Sequence, residues 1–526
     1  MRASTTGLLA AVTAAFMAAS AAALPQHHLT ARAGTASSSS SAASATSTAS
    51  SDNVGTTSLD GKEFVNHGLV AFGRISAADV DSFGESIGGV GSAIALESFS
   101  KKADGSFSGS IRLQPDRGHN QGGAATSDYR ARSHLYDLAF TPLDKAAKTP
   151  ASENFKLTYR NTLLYKQGSN FTTGLDPDQV RQGQPPLPVA SYDNHVTFDT
   201  EGLVDVGPVL IVSDEYGPYI YAIEKASGRV FATLAPPAAI VPMRDGKTNF
   251  TALSNPTTGR TANQGFEGLT LDRSNGMLWA LLQSATIQDG GSSKTTNRYS
   301  RLLGWAYDPT KPFNLQPTLK EEYVVQLPAS GKGNTRASSE LHIVGDGVFL
   351  VLARDGNGFG DNTAQTTYKQ AALVSTKEDN PTNIAGTKYD QPQNPVSPGG
   401  NLVAGITPAV VHDFVDLRAT DQLSKFGLRN DGAFDQNLIA SKLESLALAS
   451  VGDKQSPDDY FLFVVSDNDF VTLDGKQAGQ INGTGAYVLA SYQDPYAQQH
   501  GSGDTQAFVY RVTLPGYRQP AFLGPN

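Results

Sequence analysis

The chain has no cysteine at all, so no disulfide framework holds it together and no thiol can serve as a nucleophile. Its stability must come from packing and from bound ions. Charge is sparse, at 17% of residues, and leans acidic, with a formal net charge of -9. No basic cluster opposes that field, so a nucleic-acid partner is not expected. The short motifs of serine-hydrolase elbows, zinc peptidases, P-loops and dinucleotide folds are absent. Helical periodicity is scarce, and only 77–83, 370–376 and 419–426 leave room for a short helix. The C-terminal stretch carries no apolar tail, which argues against a lipid-linked or membrane-spanning end.

One long apolar run does occur. Met1 and Arg2 lead into small apolar residues from Gly7 to Ala23, closing on Ala21, Ala22 and Ala23, the pattern of a secretory signal peptide cleaved after Ala23. Residues 24–58 are expected to form a disordered spacer, because from Thr35 to Ser51 every residue is Ala, Ser or Thr and nothing there can offset the entropy of ordering. Sequons at Asn170, Asn249 and Asn482 then suit N-glycans on an extracellular chain. A secreted, soluble monomer with no membrane partner is the expectation, and residues 59–526 make up its folded domain.

With 52 glycines and 28 prolines, turns are plentiful, and apolar runs of four to seven residues recur between them. That is an all-β pattern. Four of the runs open on a Glu, at Glu201, Glu267, Glu340 and Glu444, spaced 66, 73 and 104 residues apart. Such spacing suits the blades of a β-propeller with long inter-strand insertions, six blades being expected with five or seven open. The stretches 146–195 and 376–407 are the expected insertions. The strand near Phe64 to Gly73 is expected to pair with a closing strand near Phe508 to Thr513, removing the open edge of the sheet.

Three of the Glu-led runs are followed by a second apolar run ending in acid: Asp214 and Glu215, Asp355, and Asp467 with Asp469. In an antiparallel hairpin the start of one strand lies beside the end of the next, so each unit sets its acids on one edge. Repetition about an axis would gather them at one mouth. Oxygen ligands of this kind select a hard ion, and calcium is the expected cofactor, held by Glu201, Asp214, Glu215, Glu340, Asp355, Glu444, Asp467 and Asp469. The bland alternative for Glu201 is a hydrogen bond to a turn backbone. Arg301 offers a cation for Glu267 or for an anionic substrate, and a plain surface arginine is the other reading. Asp116, Arg117 and His119 end a unit whose leading acid is missing, and His119 is a candidate general acid or base.

Taken in order, Gly88-Gly-Val-Gly-Ser92, Asp116-Arg-Gly118, Glu201-Gly202, Ser213 to Pro218, Gly265-Phe-Glu-Gly268, Arg301-Leu-Leu303, Arg354-Asp355, Lys442-Leu-Glu444 and Ser466 to Phe470 resemble the phytase-like family of secreted bacterial and fungal proteins, the esterase-like activity of phytase. The resemblance implies a propeller distantly similar to calcium-dependent propeller phytases. It implies hydrolysis of a small anionic phosphate ester, with Glu201, Asp214, Glu267, Glu444 and Asp467 catalytic and Arg117 and Arg354 binding the anion. Two departures stand against a phytate pocket: no acid at Gly91-Ser92, and few lysines among the acids. A lactonase or carboxylic-ester hydrolase remains open, as does a non-catalytic propeller clamped by calcium.

Overall fold

Apolar runs bounded by Gly, Asp and Pro become strands, and the strands assemble as five four-stranded antiparallel meanders among the described residues. The structure, a computed structural model, describes residues 53–526 apart from 121–125, 145–148, 193, 316, 481–486, 519–521 and 523–526. The first meander comprises Ala93–Lys101, Phe107–Gln114, Arg132–Phe140 and Phe155–Leu164. The second comprises Thr200–Asp205, Val209–Asp214, Ile220–Glu224 and Arg229–Leu234. The third runs through Phe266–Asp272, Met277–Leu282, Tyr299–Ala306 and Thr318–Gln326. The fourth runs through Ala337–Gly345, Val348–Arg354, Lys369–Ser375 and Ala409–Asp416.

The fifth meander joins both ends of the chain. Lys442–Ser450, Asp459–Asp467 and Thr505–Thr513 are completed by Lys62–Ile75, with Val65 opposite Thr513 and Ile75 opposite Thr505. This is the closing pair expected from the sequence. The first strand of each meander packs beside the first strand of the next, from the first through the fifth and back to the first.

Five large hydrophobic clusters fill the five interfaces of that cycle. In Val209–Asp214, Val209 and Ile211 pack toward the third meander while Leu210 and Val212 pack toward the first. In Asp459–Asp467, Phe461 and Phe463 face the first meander, and Tyr460, Leu462 and Val464 face the fourth. Side chains alternate with a period of two, so a strand covered on both faces reads as an unbroken apolar run. That is why these runs look so continuous in the sequence.

Several expectations shift at this level. Residues 370–376 are not helical: 370–375 belong to Lys369–Ser375, a strand buried along its whole length. Residues 77–83 hold turns rather than a helix, whereas 419–426 do contain Thr420–Leu423 and a following 3-10 turn at Ser424–Phe426. The insertion placed at 146–195 contains the fourth strand of the first meander, Phe155–Leu164, whose alternating exposed and half-buried residues hide a strand at the rim of its sheet. Strand Gly55–Leu59 begins inside the stretch assigned to the spacer, because it finds a partner in the start of Lys62–Ile75.

Phe461 lies edge-on to Phe107 at 4.7 Å and to Phe140 at 5.0 Å, in the interface between the fifth and first meanders. Phe461→Ala should therefore cost about 3–5 kcal/mol of unfolding free energy. Denaturant titration of the two proteins measures it.

Candidate functional site

The Glu-led strands share a local irregularity. The ladder slips at Glu201-Gly202, at Glu267, at Ser339 and at Glu444, so that each of these residues stands out of register at the start of its strand. The glycine after the Glu answers a close approach. A Cβ on Gly202 would lie 2.4 Å from Leu269 Cβ, and one on Gly268 would lie 2.5 Å from Leu341 Cβ. Only a residue without a side chain lets neighbouring first strands come this near.

In the fourth meander the bulged position is Ser339, and Glu340 falls one place later. A one-residue slip turns a side chain to the other face of a strand. Glu340 accordingly leaves the expected ligand set: its Oε1 accepts from the backbone N–H of Leu341 at 2.7 Å and of Leu269 at 3.2 Å, tying the fourth meander to the third. Glu201, Glu267 and Glu444 do come together, close enough that Glu267 and Glu444 raise the pKa of Glu201 and Glu444 that of Glu267.

Two groups of acids line this mouth. In the first, carboxylate oxygens of Asp199, Glu201 and Glu215 lie within 4.8 Å of one another. All three are buried. Asp199 is held by Arg117, whose backbone N–H and Nη1 each donate to it at 3.1 Å; Arg117 also bonds Asn263. Glu215 and Glu267 are in side-chain contact, and Gln283 donates to Glu267 Oε1. Glu215 Oε1 and Glu267 Oε2 are buried with no partner among the described residues. Two touching carboxyl groups require either a shared proton or a cation between them. The donors are all oxygen, and their spacing suits an ion that binds oxygens at about 2.3–2.6 Å. This group could hold a hard divalent cation.

In the second group, oxygens of Asp116, Asp467 and Asp469 also lie within 4.8 Å of one another. Lys442 reaches into it, with Nζ 2.6 Å from Asp467 and 3.0 Å from Asp469. Glu444, beside it, is paired with Arg354, whose Nε donates to Ser339 Oγ at 3.1 Å. Arg354 thus fills the gap left by the serine of the fourth meander.

Other candidates sit elsewhere. Asp214 adjoins the first group but spends both oxygens on backbone, accepting from Asp199 N at 2.8 Å and Gly217 N at 3.0 Å, and so it shapes the turn that presents Asp199 and Glu215. Asp355 is bonded by Thr366, by Thr367 N at 2.7 Å and Thr367 Oγ1 at 2.7 Å, and by Tyr368 N at 3.1 Å. Burial would raise its pKa, but the Thr366 hydroxyl and the Lys369 ammonium hold it down at about 2. It organises a loop. Arg301 does not meet Glu267; it is buried between Asp289 and Glu322, at 2.7 Å from each. His119 is fixed by Asp494 at 3.2 Å and stacked on Tyr492 at 4.1 Å. Of the sequons, Asn170 is exposed, Asn249 is half-buried and Asn482 lies outside the described residues.

Asp199 and Lys442 escape a search built on strand-leading Glu and strand-ending Asp. Asp199 stands two residues before Glu201, a spacing that puts both side chains on one face of an extended segment. That proximity was the available signal.

Burial and then the neighbouring Asp199 push Glu215 up to about 7. Asp467 is likewise pushed up to about 7, burial together with Asp469 and Glu444 outweighing the pull of Lys442. Between the ordinary carboxylate range and about pH 7 the folded state therefore binds more protons than the unfolded chain, and stability falls as pH rises through that window. In a chelator the melting temperature should be lower at pH 8 than at pH 5 by a few degrees, and calcium should restore it at pH 8 far more than at pH 5. Thermal melts under the four conditions check this.

Residues 103–470 match the Phytase-like family, described as the esterase-like activity of phytase. An uncharacterised secreted protein of Arthroderma benhamiae is 34% identical over 458 residues, spanning 78% of this chain and 88% of that protein. Among solved structures, a luciferin-regenerating enzyme aligns over 87% of this chain and 99% of its own at 10% identity, with a TM-score of 0.25. The PQQ-bound aldose sugar dehydrogenase of Streptomyces coelicolor aligns over 84% and 98% at 10% identity, with a TM-score of 0.24. Scores this low carry no argument about fold or activity. No helix among the described residues is long and apolar enough to cross a membrane.

Proposed function

We propose that this chain, which belongs to the phytase-like family, is a secreted, five-bladed β-propeller that hydrolyses phosphate esters with the help of a divalent cation, calcium being the ion its oxygen donors suit best. The propeller reading is supported by the cycle of first strands and by the shared fifth meander. Secretion is supported by the apolar leader at 7–23 and by the relative from Arthroderma benhamiae; N-glycans at Asn170 and Asn249 belong to the same reading.

The observation that carries the catalytic reading is the pair of carboxylate oxygens, Glu215 Oε1 and Glu267 Oε2, buried among acids with no donor bound to them. Burying carboxylates without partners is costly, and such a cost persists where a ligand removes it. Asp199, Glu201, Glu215 and Glu267 would hold the ion, which when bound supplies Lewis-acid polarisation of a phosphoryl oxygen and a more acidic water. Burial and then the neighbouring Glu267 push Glu201 well above the carboxylate range, a cost that a bound cation would relieve. Arg354 has three of its five N–H groups engaged among the described residues, which leaves donors for the anionic ester. Arg117 holds Asp199 in place and adds positive charge on the same side.

A phosphomonoester, a phosphodiester and a lactone, each offered with calcium and with chelator, test the reading. Calcium-dependent release of phosphate is expected, reduced at least about a hundredfold by Glu215→Gln or Glu267→Gln. Asp355→Asn, by contrast, should lower the melting temperature while leaving kcat of the folded protein within about twofold. Turnover of the lactone alone would move the activity to carboxylic esters, and calcium binding without turnover of any substrate would leave a binding protein.

A further inference from the structure

The two acid groups at the mouth are built alike but neutralised differently. Each offers three side chains whose oxygens lie within 4.8 Å of one another. In the Asp199, Glu201 and Glu215 group Arg117 is spent on Asp199 and the nearby Arg260 on backbone carbonyls, and unpartnered oxygens remain at Glu215 and at the adjoining Glu267. In the Asp116, Asp467 and Asp469 group none of the three has a buried oxygen without a partner: backbone N–H groups bond Asp116 and Asp467, and an ammonium bonds Asp467 and Asp469.

That ammonium belongs to Lys442, at the start of the fifth meander's first strand, directly across the ladder from Asp467. Its Nζ lies 2.6 Å from Asp467, 3.0 Å from Asp469, 3.8 Å from Glu444 and 3.9 Å from Asp116. Four carboxylates around one nitrogen resemble the oxygen shell of a small inorganic cation more than an ordinary ion pair. A lysine suits this role, since its charge is a compact point rather than a planar fork. The side chain is about a quarter exposed, at 23%, so the position opens to the mouth and a solvent ion could reach it.

We propose that Lys442 is a tethered cation standing in a second divalent position, so that the native chain takes one divalent ion and the loss of the ammonium opens a site for another. This rests on the reading that the Asp199, Glu201, Glu215 and Glu267 group holds an ion. The consequence is a mouth with one exchangeable centre and one permanent one. Removing calcium empties only the first, while the second keeps its own positive charge and the acids of the fifth meander stay assembled.

Calcium titration by calorimetry, with ions counted per chain, tests this on the secreted protein and on five variants checked for folding by circular dichroism. One ion is expected for the native chain, two for Lys442→Met and for Lys442→Gln, and one for Lys442→Arg. None is expected for Glu215→Gln, and one for the double variant Glu215→Gln with Lys442→Met. One ion in both the native chain and the folded Lys442 variants overturns the proposal and leaves the functional reading intact. Two ions in the native chain also overturn it, since Lys442 would then exclude nothing. No ion in the native chain overturns both. Should one Lys442 variant fail to fold, the other and the native count still decide.

Discussion

Repulsion between like charges in a dry place is the constraint on which this molecule depends. Eight carboxylates, those of Asp116, Asp199, Glu201, Glu215, Glu267, Glu444, Asp467 and Asp469, outnumber the cations beside them, Arg117, Arg260, Arg354, Lys369 and Lys442. Two such charges about 4 Å apart repel by roughly 4 kcal/mol at the effective dielectric of a protein near its surface. No local device could hold them together. The opposing force is spread through the five apolar interfaces, where side chains on both faces of each middle strand are buried. Concentrated electrostatic cost at the axis is thus balanced by diffuse apolar gain around it, and partial neutralisation by arginine and lysine narrows the difference.

Hydrogen-bond accounting separates the acids that build the site from those that use it. Asp214, Glu340 and Asp355 have their oxygens turned to backbone N–H groups and hydroxyls, and each binds together segments distant in the chain. Glu215 and Glu267 keep oxygens with no such partner. All five look alike in the sequence, as acids at the ends of apolar runs. A satisfied carboxylate reads as a structural tie, whereas an unsatisfied one in the same neighbourhood marks a place prepared for something else.

Much of this was legible before the fold was known, and the losses have definite causes. The all-β pattern of short apolar runs, the pairing of Phe64 to Gly73 with Phe508 to Thr513 and the convergence of Glu201, Glu267 and Glu444 all follow from pattern and hairpin geometry. Glu340 was misjudged because a bulge at Ser339 shifts the count by one, and register within a bulged ladder cannot be read from residue types. Phe155–Leu164 was taken for part of an insertion because a rim strand, half exposed, lacks the apolar run that betrays a central one. Lys442 stands within the Lys442-Leu-Glu444 motif, but nothing there marks it as part of the site, since a lysine beside acids is commonplace until its four neighbours are located.

The shared fifth meander has a consequence for how the protein comes into being. Lys62–Ile75 leaves the ribosome among the first folded-domain segments, but its partner Thr505–Thr513 leaves among the last. Through almost the whole of synthesis that early strand has an unpaired edge, and the cycle of meanders cannot shut. The event that completes the cycle requires residues made only after the other four meanders, and Thr505–Thr513 acts as its clasp.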